Sequence, residues 1–339
     1  MKLAILSHAP SYPAKARKEI KARWPDVDLD LVPVITFYGY SWDGRLFDIP
    51  RDIPWQDLPL RRPVARRKTT QLSLRTGIES QPHTDADIET ARSVVMTADE
   101  VLLLCDDDFE TIGGANDLLC DLFGAIPKER VVFPASLFGR KALDGADRET
   151  IMLEAGFFEN TAGQMALACE TSDYFDYNYV LNATPILGLA ARNAGLKGTA
   201  PSAFGLQLLY WLAENDGAST ASDLRSVMAG WRGLGKYADA KGMGSMRSRQ
   251  AIVERLVSGG YLARGLREKN DDVYLTDSGR RFISLLHKDC RDPDLPFRIR
   301  QWQMLPAVRA RSRIDGYFNA FFGKQVRLAG AGRQGLWSR

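Results

Sequence analysis

The residues best suited to chemistry stand together in Cys105-Asp106-Asp107-Asp108-Phe109-Glu110, at the carboxyl end of the apolar run 101–105. Asp106 and Asp108, two apart, can point to one side of a loop while Glu110 opens the next helix. Three carboxylates offering only oxygen suit a hard cation, and Mg²⁺ prefers such a partly hydrated site. Carboxylates this close repel one another, so a metal or a basic partner is needed to keep all three ionised. The alternative is that they are solvated acids near a helix N-terminus, where the helix dipole favours anions without any metal. Cys105, Cys120, Cys169 and Cys290 are far apart, with no CxxC pair and none beside a histidine. That argues against a zinc site or a disulfide framework and for buried thiols in a reducing compartment.

A second set of residues suits polyanion binding. Residues 225–269 hold ten Lys/Arg against three acids, and residues 291–339 hold ten against three, while the whole chain of 339 residues carries a net charge of only +3. Basic segments in an otherwise acidic chain point to a polyanion as partner. Arg66, Arg67 and Lys68, with Arg61, Arg62 and Arg75, form a third basic segment. Within 245–258, Ile252, Val253, Leu256 and Val257 mark one apolar side, which leaves Arg247, Ser248, Arg249, Gln250 and Arg255 for contact with DNA, since Arg holds phosphate oxygens or guanine edges bidentately.

The elements that must position these residues are legible from periodicity. Residues 3–6 and 101–105 are continuous apolar runs, and residues 131–136 resemble them, with helical stretches at 14–23, 85–98 and 111–123. Strands of that kind alternating with helices predict a parallel sheet covered on both faces, an α/β (Rossmann-like) domain over residues 1–143. In such sheets ligands gather at the carboxyl ends of the strands, which is where Asp106 falls. Residues 144–202 read as a helical linker. In 203–290, helices at 204–214, from a Ser219 cap to Met228, and from Ser245 or Ser248 to Ser258 are followed by two short strands around a polar turn at 270–272, the order of a winged helix-turn-helix. Residues 291–339 read as a basic C-terminal segment. With 45% hydrophobic and 26% charged residues the composition is that of a folded chain. No apolar run approaches a membrane span, and His8 and Pro10 interrupt the opening run before it could serve as a signal peptide, so a cytoplasmic protein with no membrane partner is expected.

Several stretches, in order, resemble the type IA DNA topoisomerases. Leu6-Ser7-His8-Ala9-Pro10-Ser11 resembles that family's EKPS opening, CDDDFETIGG its DPDREGE signature, and KGMGSMRSRQAIVERLVSGGYL its G(I/L)GTPATRA segment, with YLTDSGRRFISLL and RDPDLPFRIRQWQML following as they do there. The resemblance spans most of residues 1–305 and implies a toprim domain, Mg²⁺ held by Asp106, Asp108 and Glu110, and a gate-derived winged helix on DNA. The departures matter too. His8 stands where the family has its general acid/base glutamate, Ala9 replaces the following lysine, Phe109 replaces the signature arginine, and Ile112 replaces its last glutamate. None of the eleven tyrosines has the Y-x-R-(T/S) setting of the family's nucleophile, and the segments that flank the tyrosine domain there are joined here by a few residues around 198–202. The resemblance therefore implies a reduced toprim protein that binds DNA, does not relax it alone, and works with a DNA-cleaving or topology-changing protein partner. Two alternatives are a Mg²⁺-dependent nicking nuclease, with His8 as acid/base beside the three acids, and a protein-interaction scaffold.

Overall fold

The structure, a computed structural model, describes residues 1–38, 57–60, 62, 71–79, 84–104, 114–115, 118, 122, 131–132, 161–215, 217–244, 246–265 and 272–336. The chain divides into two compact units, residues 1–47 with 66–173 and residues 48–65 with 174–339.

In the first unit, β1 (Leu3–Ser7) is buried along its whole length, as a strand must be when both faces of its sheet are covered. Alternate side chains go to opposite layers. Leu3 and Ile5 pack with Ile20 and Trp24, at and just beyond α2 (Arg17–Arg23), which follows the single turn α1 (Tyr12–Lys15). Ala4 and Leu6 pack with Ala91 and Val95 of α3 (Ile88–Thr97). Asp87 caps α3 by accepting the Thr90 N–H at 2.7 Å, a bond that holds its carboxyl below the ordinary carboxylate range. The remaining strands are β2 (Pro33–Tyr38), β3 (Gln71–Thr76), β4 (Thr84–Ala86), β5 (Glu100–Leu104) and β6 (Val131–Val132), in the sheet order β4-β3-β2-β1-β5-β6. β2, β1, β5 and β6 are parallel, but β3 runs antiparallel to both of its neighbours, β2 and β4. The sheet is thus mixed where the sequence predicted a parallel one. The overlooked strand explains the difference: Arg75 counts as one more basic residue in the sequence, yet it lies in β3, only 4% exposed. Its Nη2 donates to the carbonyls of Pro10 (2.7 Å) and Ile78 (3.2 Å). Of the predicted helix 111–123, positions 114, 115, 118 and 122 are helical, and Ala115, Leu118 and Leu122 are buried; the rest lies outside the described residues.

In the second unit, α4 (Thr161–Asn193) contributes its residues from Tyr174 onward. Then come α5 (Ala203–Glu214), β7 (Ala218–Thr220), α6 (Ala221–Ala229), α7 (Met246–Ser258), β8 (Leu262–Arg264), β9 (Asp272–Leu275), α8 (Asp277–Ser284), α9 (Leu295–Gln303) and α10 (Ala307–Leu336). β9 is the middle strand of an antiparallel sheet, β7-β9-β8. The cap of α6 is Thr220, whose hydroxyl accepts the Asp223 N–H at 2.9 Å, not the expected Ser219, which pairs with Val273 inside β7. The segment 291–339, read from its charge as a basic tail, contains two helices that complete the core. Ala310, Ile314, Phe318 and Phe322, four apart on α10, are fully buried. Phe318 meets Phe175 of α4 at 5.2 Å between ring centroids, and Phe322 meets Tyr179 at 5.6 Å. Arg309, Arg311 and Arg313 occupy the exposed side.

Four buried amides hold this unit's irregular segments, each acting as a substitute peptide group. Asn182 accepts the Leu60 N–H at 2.7 Å and donates to the Leu60 carbonyl at 2.8 Å; Asn178, one turn earlier, does the same for Arg62 at 2.8 and 3.1 Å. The match is geometric. Four helical residues rise about 6 Å, and two extended residues advance about 6.6 Å. Gln207 donates to the Cys290 carbonyl at 3.0 Å and accepts the Asp292 N–H at 2.6 Å, and Gln325 serves His287 N–H (2.6 Å) and Leu285 C=O (3.3 Å) in the same way. Buried amides tolerate desolvation only when satisfied at both ends, as all four are.

Candidate functional site

The carboxyl ends of β2, β1 and β5 lie side by side in the first unit. Ser7 is level with Thr36 on one side and with Leu104 on the other. From β1 the chain passes to β2 on one flank and later returns to β5 on the other, so the gap between β1 and β5 is the switch point where open α/β sheets place ligands. His8 stands there. Its N–H donates to the Leu104 carbonyl at 2.8 Å, which extends the ladder one step past β1. Its half-buried ring lies 5.8 Å from the Phe37 ring, at 53° to it. The turn beyond it is braced by the Ser7 hydroxyl on the Ala9 carbonyl (2.7 Å) and by buried Arg75 on Pro10. Burial lowers the pKa of Arg75 against the opposing pull of Glu79.

Asp106, Asp108 and Glu110 follow Leu104 in the chain but lie outside the described residues, as do Arg66, Arg67 and Lys68. Among the described residues no cluster of three His, Cys, Asp or Glu has the spacing to hold a metal ion, and no helix is long and apolar enough to cross a membrane.

In the second unit, α7 buries Ile252, Val253 and Leu256 (6%, 1% and 2% exposed). Gln250 and Arg255 are exposed and Ser248 is half-buried; Arg247 is on the helix, its side chain outside the described atoms. At 100° per residue, positions 247 and 255 fall on the side away from the apolar stripe, whereas 249 falls within it. Arg249 is accordingly half-buried, and its Nε donates to the Met243 carbonyl at 3.1 Å. It braces the entry to α7 instead of projecting outward with Arg255. That entry turns through Gly242 and Gly244, with φ of +90° and +70°, a region that favours glycine. A Cβ on Gly244 would also lie 2.7 Å from the Ser248 hydroxyl. The outward side is not uniformly basic, since Glu254 pairs there with Arg264 of β8 at 2.6 Å.

Sequence periodicity did not reveal the segment 230–244, an excursion between α6 and α7 closed by a bridge between Arg232 and Lys241. It is supported from α9. Arg300 donates to the carbonyls of Lys241 (2.8 Å) and Gly242 (2.9 Å), Tyr237 donates to Gln301 (2.7 Å), and the Leu234 N–H bonds Asp294 at 2.5 Å. Arg232, Lys236 and Lys241 are all exposed on it. Their charges were counted in the sequence, but the long-range bonds that fix them could not be.

The tyrosines give no nucleophile among the described residues with a perturbed pKa. Burial pushes the phenols of Tyr179, Tyr210 and Tyr261 upward, the wrong direction for attack on phosphorus. Tyr177 is only 2% exposed. Neither the known protein-family models nor the curated proteins contain a match to this chain.

Proposed function

We propose that the chain is a DNA-binding protein built on the plan of a reduced type IA topoisomerase, with a toprim-like first unit and a winged helix-turn-helix in the second. The observation that carries the reading is the order α5-β7-α6-α7-β8-β9 around the sheet β7-β9-β8. In winged-helix proteins this order presents the third helix to DNA, and here that helix keeps its apolar side in the core and Gln250 and Arg255 outside. Arg247 and Arg255, with Arg232, Lys236 and Lys241 of the neighbouring excursion, supply positive charge for phosphates. Each duplex phosphate neutralised steepens the fall of log affinity with log salt by about 0.9.

In the first unit, Asp106, Asp108 and Glu110 are proposed to hold Mg²⁺, which when bound would polarise a phosphoryl oxygen or activate water. The placement of His8 on Leu104, the residue from which the acidic segment departs, favours a second reading: a nicking nuclease in which His8 moves the proton. Burial of Tyr179, Tyr210 and Tyr261, which raises their phenols, speaks against these three as nucleophiles and supports a protein that does not relax DNA alone and relies on a cleaving partner. The test is supercoiled plasmid with Mg²⁺. Retarded but fully supercoiled plasmid agrees with binding, and nicked product lost in Asp108→Asn establishes the nuclease. Relaxed closed circles with DNA trapped on a tyrosine would overturn both.

A further inference from the structure

A cleft of about 370 Å³ opens in the second unit between α5, the end of α6 and residues 291–293. Its volume is at the small end of ligand pockets, which run about 300–1,000 Å³. Trp211 and Trp231 supply its aromatic walls, Tyr210 lines it, and Arg232 and Arg291 are among its charged residues.

The walls are fixed before any ligand arrives. The Trp231 indole N–H is already committed to the Pro293 carbonyl at 2.9 Å, so this ring, 7% exposed, has no donor left for a ligand. Gln207 pins residues 290 and 292 behind it. The cations, by contrast, are lightly held. Arg291 pairs with Glu214 at 2.6 Å, but both side chains are 46% exposed, where such pairs contribute about 0–1 kcal/mol and exchange partners easily. Among the described residues Arg232 makes one long contact, 3.4 Å to the Ala238 carbonyl, and is exposed. Tyr210 carries a buried hydroxyl with no hydrogen-bond partner among the described residues.

We infer that this cleft binds a planar aromatic anion of mononucleotide size, its ring against the tryptophans and its phosphate on Arg232 and Arg291. Indole faces stack on any nucleobase, and guanidinium forks match phosphate oxygens. The inference does not depend on DNA binding through α7. A free nucleotide and an unpaired base in a DNA strand share this chemistry, and the experiment separates them.

The full chain is titrated calorimetrically with 5′-AMP, 5′-GMP, 5′-CMP and 5′-TMP, and with adenosine and inorganic phosphate as halves of the ligand. Fluorescence anisotropy follows a 12-nucleotide single strand and the same strand with one abasic position. At least one mononucleotide is expected to bind about tenfold or more tighter than adenosine or phosphate, and Trp211→Ala and Arg232→Ala are each expected to weaken it about tenfold. Arg232 is exposed, so Arg232→Ala keeps the wild-type melting temperature and reads binding alone. If only the single strand responds, both to Trp211→Ala and to the abasic position, the nucleotide comes from DNA. No binding of any probe, or binding indifferent to both variants, overturns the site.

Discussion

Replacing Asn182 with leucine, which has nearly the same shape, removes the amide and leaves the volume. Two contacts to Leu60 vanish, the 2.7 Å bond from its N–H and the 2.8 Å bond to its carbonyl, together with the bond from Asn182 to the Asn178 carbonyl at 2.7 Å. A main-chain group stranded in a protein interior costs about 1–3 kcal/mol. Leu60 is half-buried, so water can reach its groups in part, and a total of about 2–4 kcal/mol is expected for the local opening of residues 57–62. Amide hydrogen exchange measures that opening directly, because the smaller figure corresponds to about a 30-fold faster exchange of the Leu60 N–H. Asn178→Leu should act alike on Arg62. The double variant should cost less than the sum, because the segment released at one rung has already lost much of the other. An exchange rate within threefold of wild type in Asn182→Leu would show that packing of Leu58 and Leu60, and not the amide, holds the segment, and would refute the argument.

The remaining expectations concern charge and turn geometry. Arg255→Ala should flatten the salt dependence of DNA affinity by about 0.9 log unit per log unit with unchanged stability. Arg249→Ala should instead lower stability by about 1 kcal/mol, since it unbinds the Met243 carbonyl; filter binding and urea denaturation of the two variants separate these roles. Burial pushes the Cys290 thiol up to about 12 from its ordinary 9.0. A folded pKa above the unfolded one contributes stability that is complete below pH 9 and lost as pH rises toward 12. Tyr179, Tyr210 and Tyr261 act in the same sense, so the urea midpoint should fall steadily above pH 9, and a flat midpoint to pH 11 would contradict the burial argument. Gly244→Ala, at a φ of +70° and against Ser248, should cost about 1–2 kcal/mol by thermal or urea unfolding.

Local signals were legible where burial alone sets the residue pattern. The run at 3–6 and the described part of the run at 101–105, residues 101–104, read correctly because a strand covered on both faces admits only apolar residues, and the side of α7 formed by Ile252, Val253 and Leu256 followed from its period. Two kinds of information did not show. One is charge placed inside: Arg75 and Arg249 read as surface cations, because composition cannot reveal that a guanidinium is to be spent on carbonyls at Pro10 or Met243. The other is pairing over distance. The partners of Asn178, Asn182 and Gln207 lie 83 to 122 positions away, and the apolar stripe of α10 is diluted by the arginines on its other side. For the candidate sites, the sequence singled out His8 by resemblance alone, and its bond to the Leu104 carbonyl just beyond β1 is a pairing that no local pattern announces, while the tryptophan cleft needs residues from three separate stretches and leaves no local signature.

The aromatic seam between α4 and α10 also sets a timetable for synthesis. Phe175 and Tyr179 emerge about 140 residues before Phe318 and Phe322, the rings that cover them. At about 5–20 residues per second the nascent chain presents those faces uncovered for roughly 7–30 s. During that interval they are available to chaperones or to the same faces on neighbouring nascent chains. Slower translation through residues 180–306 would lengthen the exposure, so soluble yield should depend on elongation rate even though the finished fold does not.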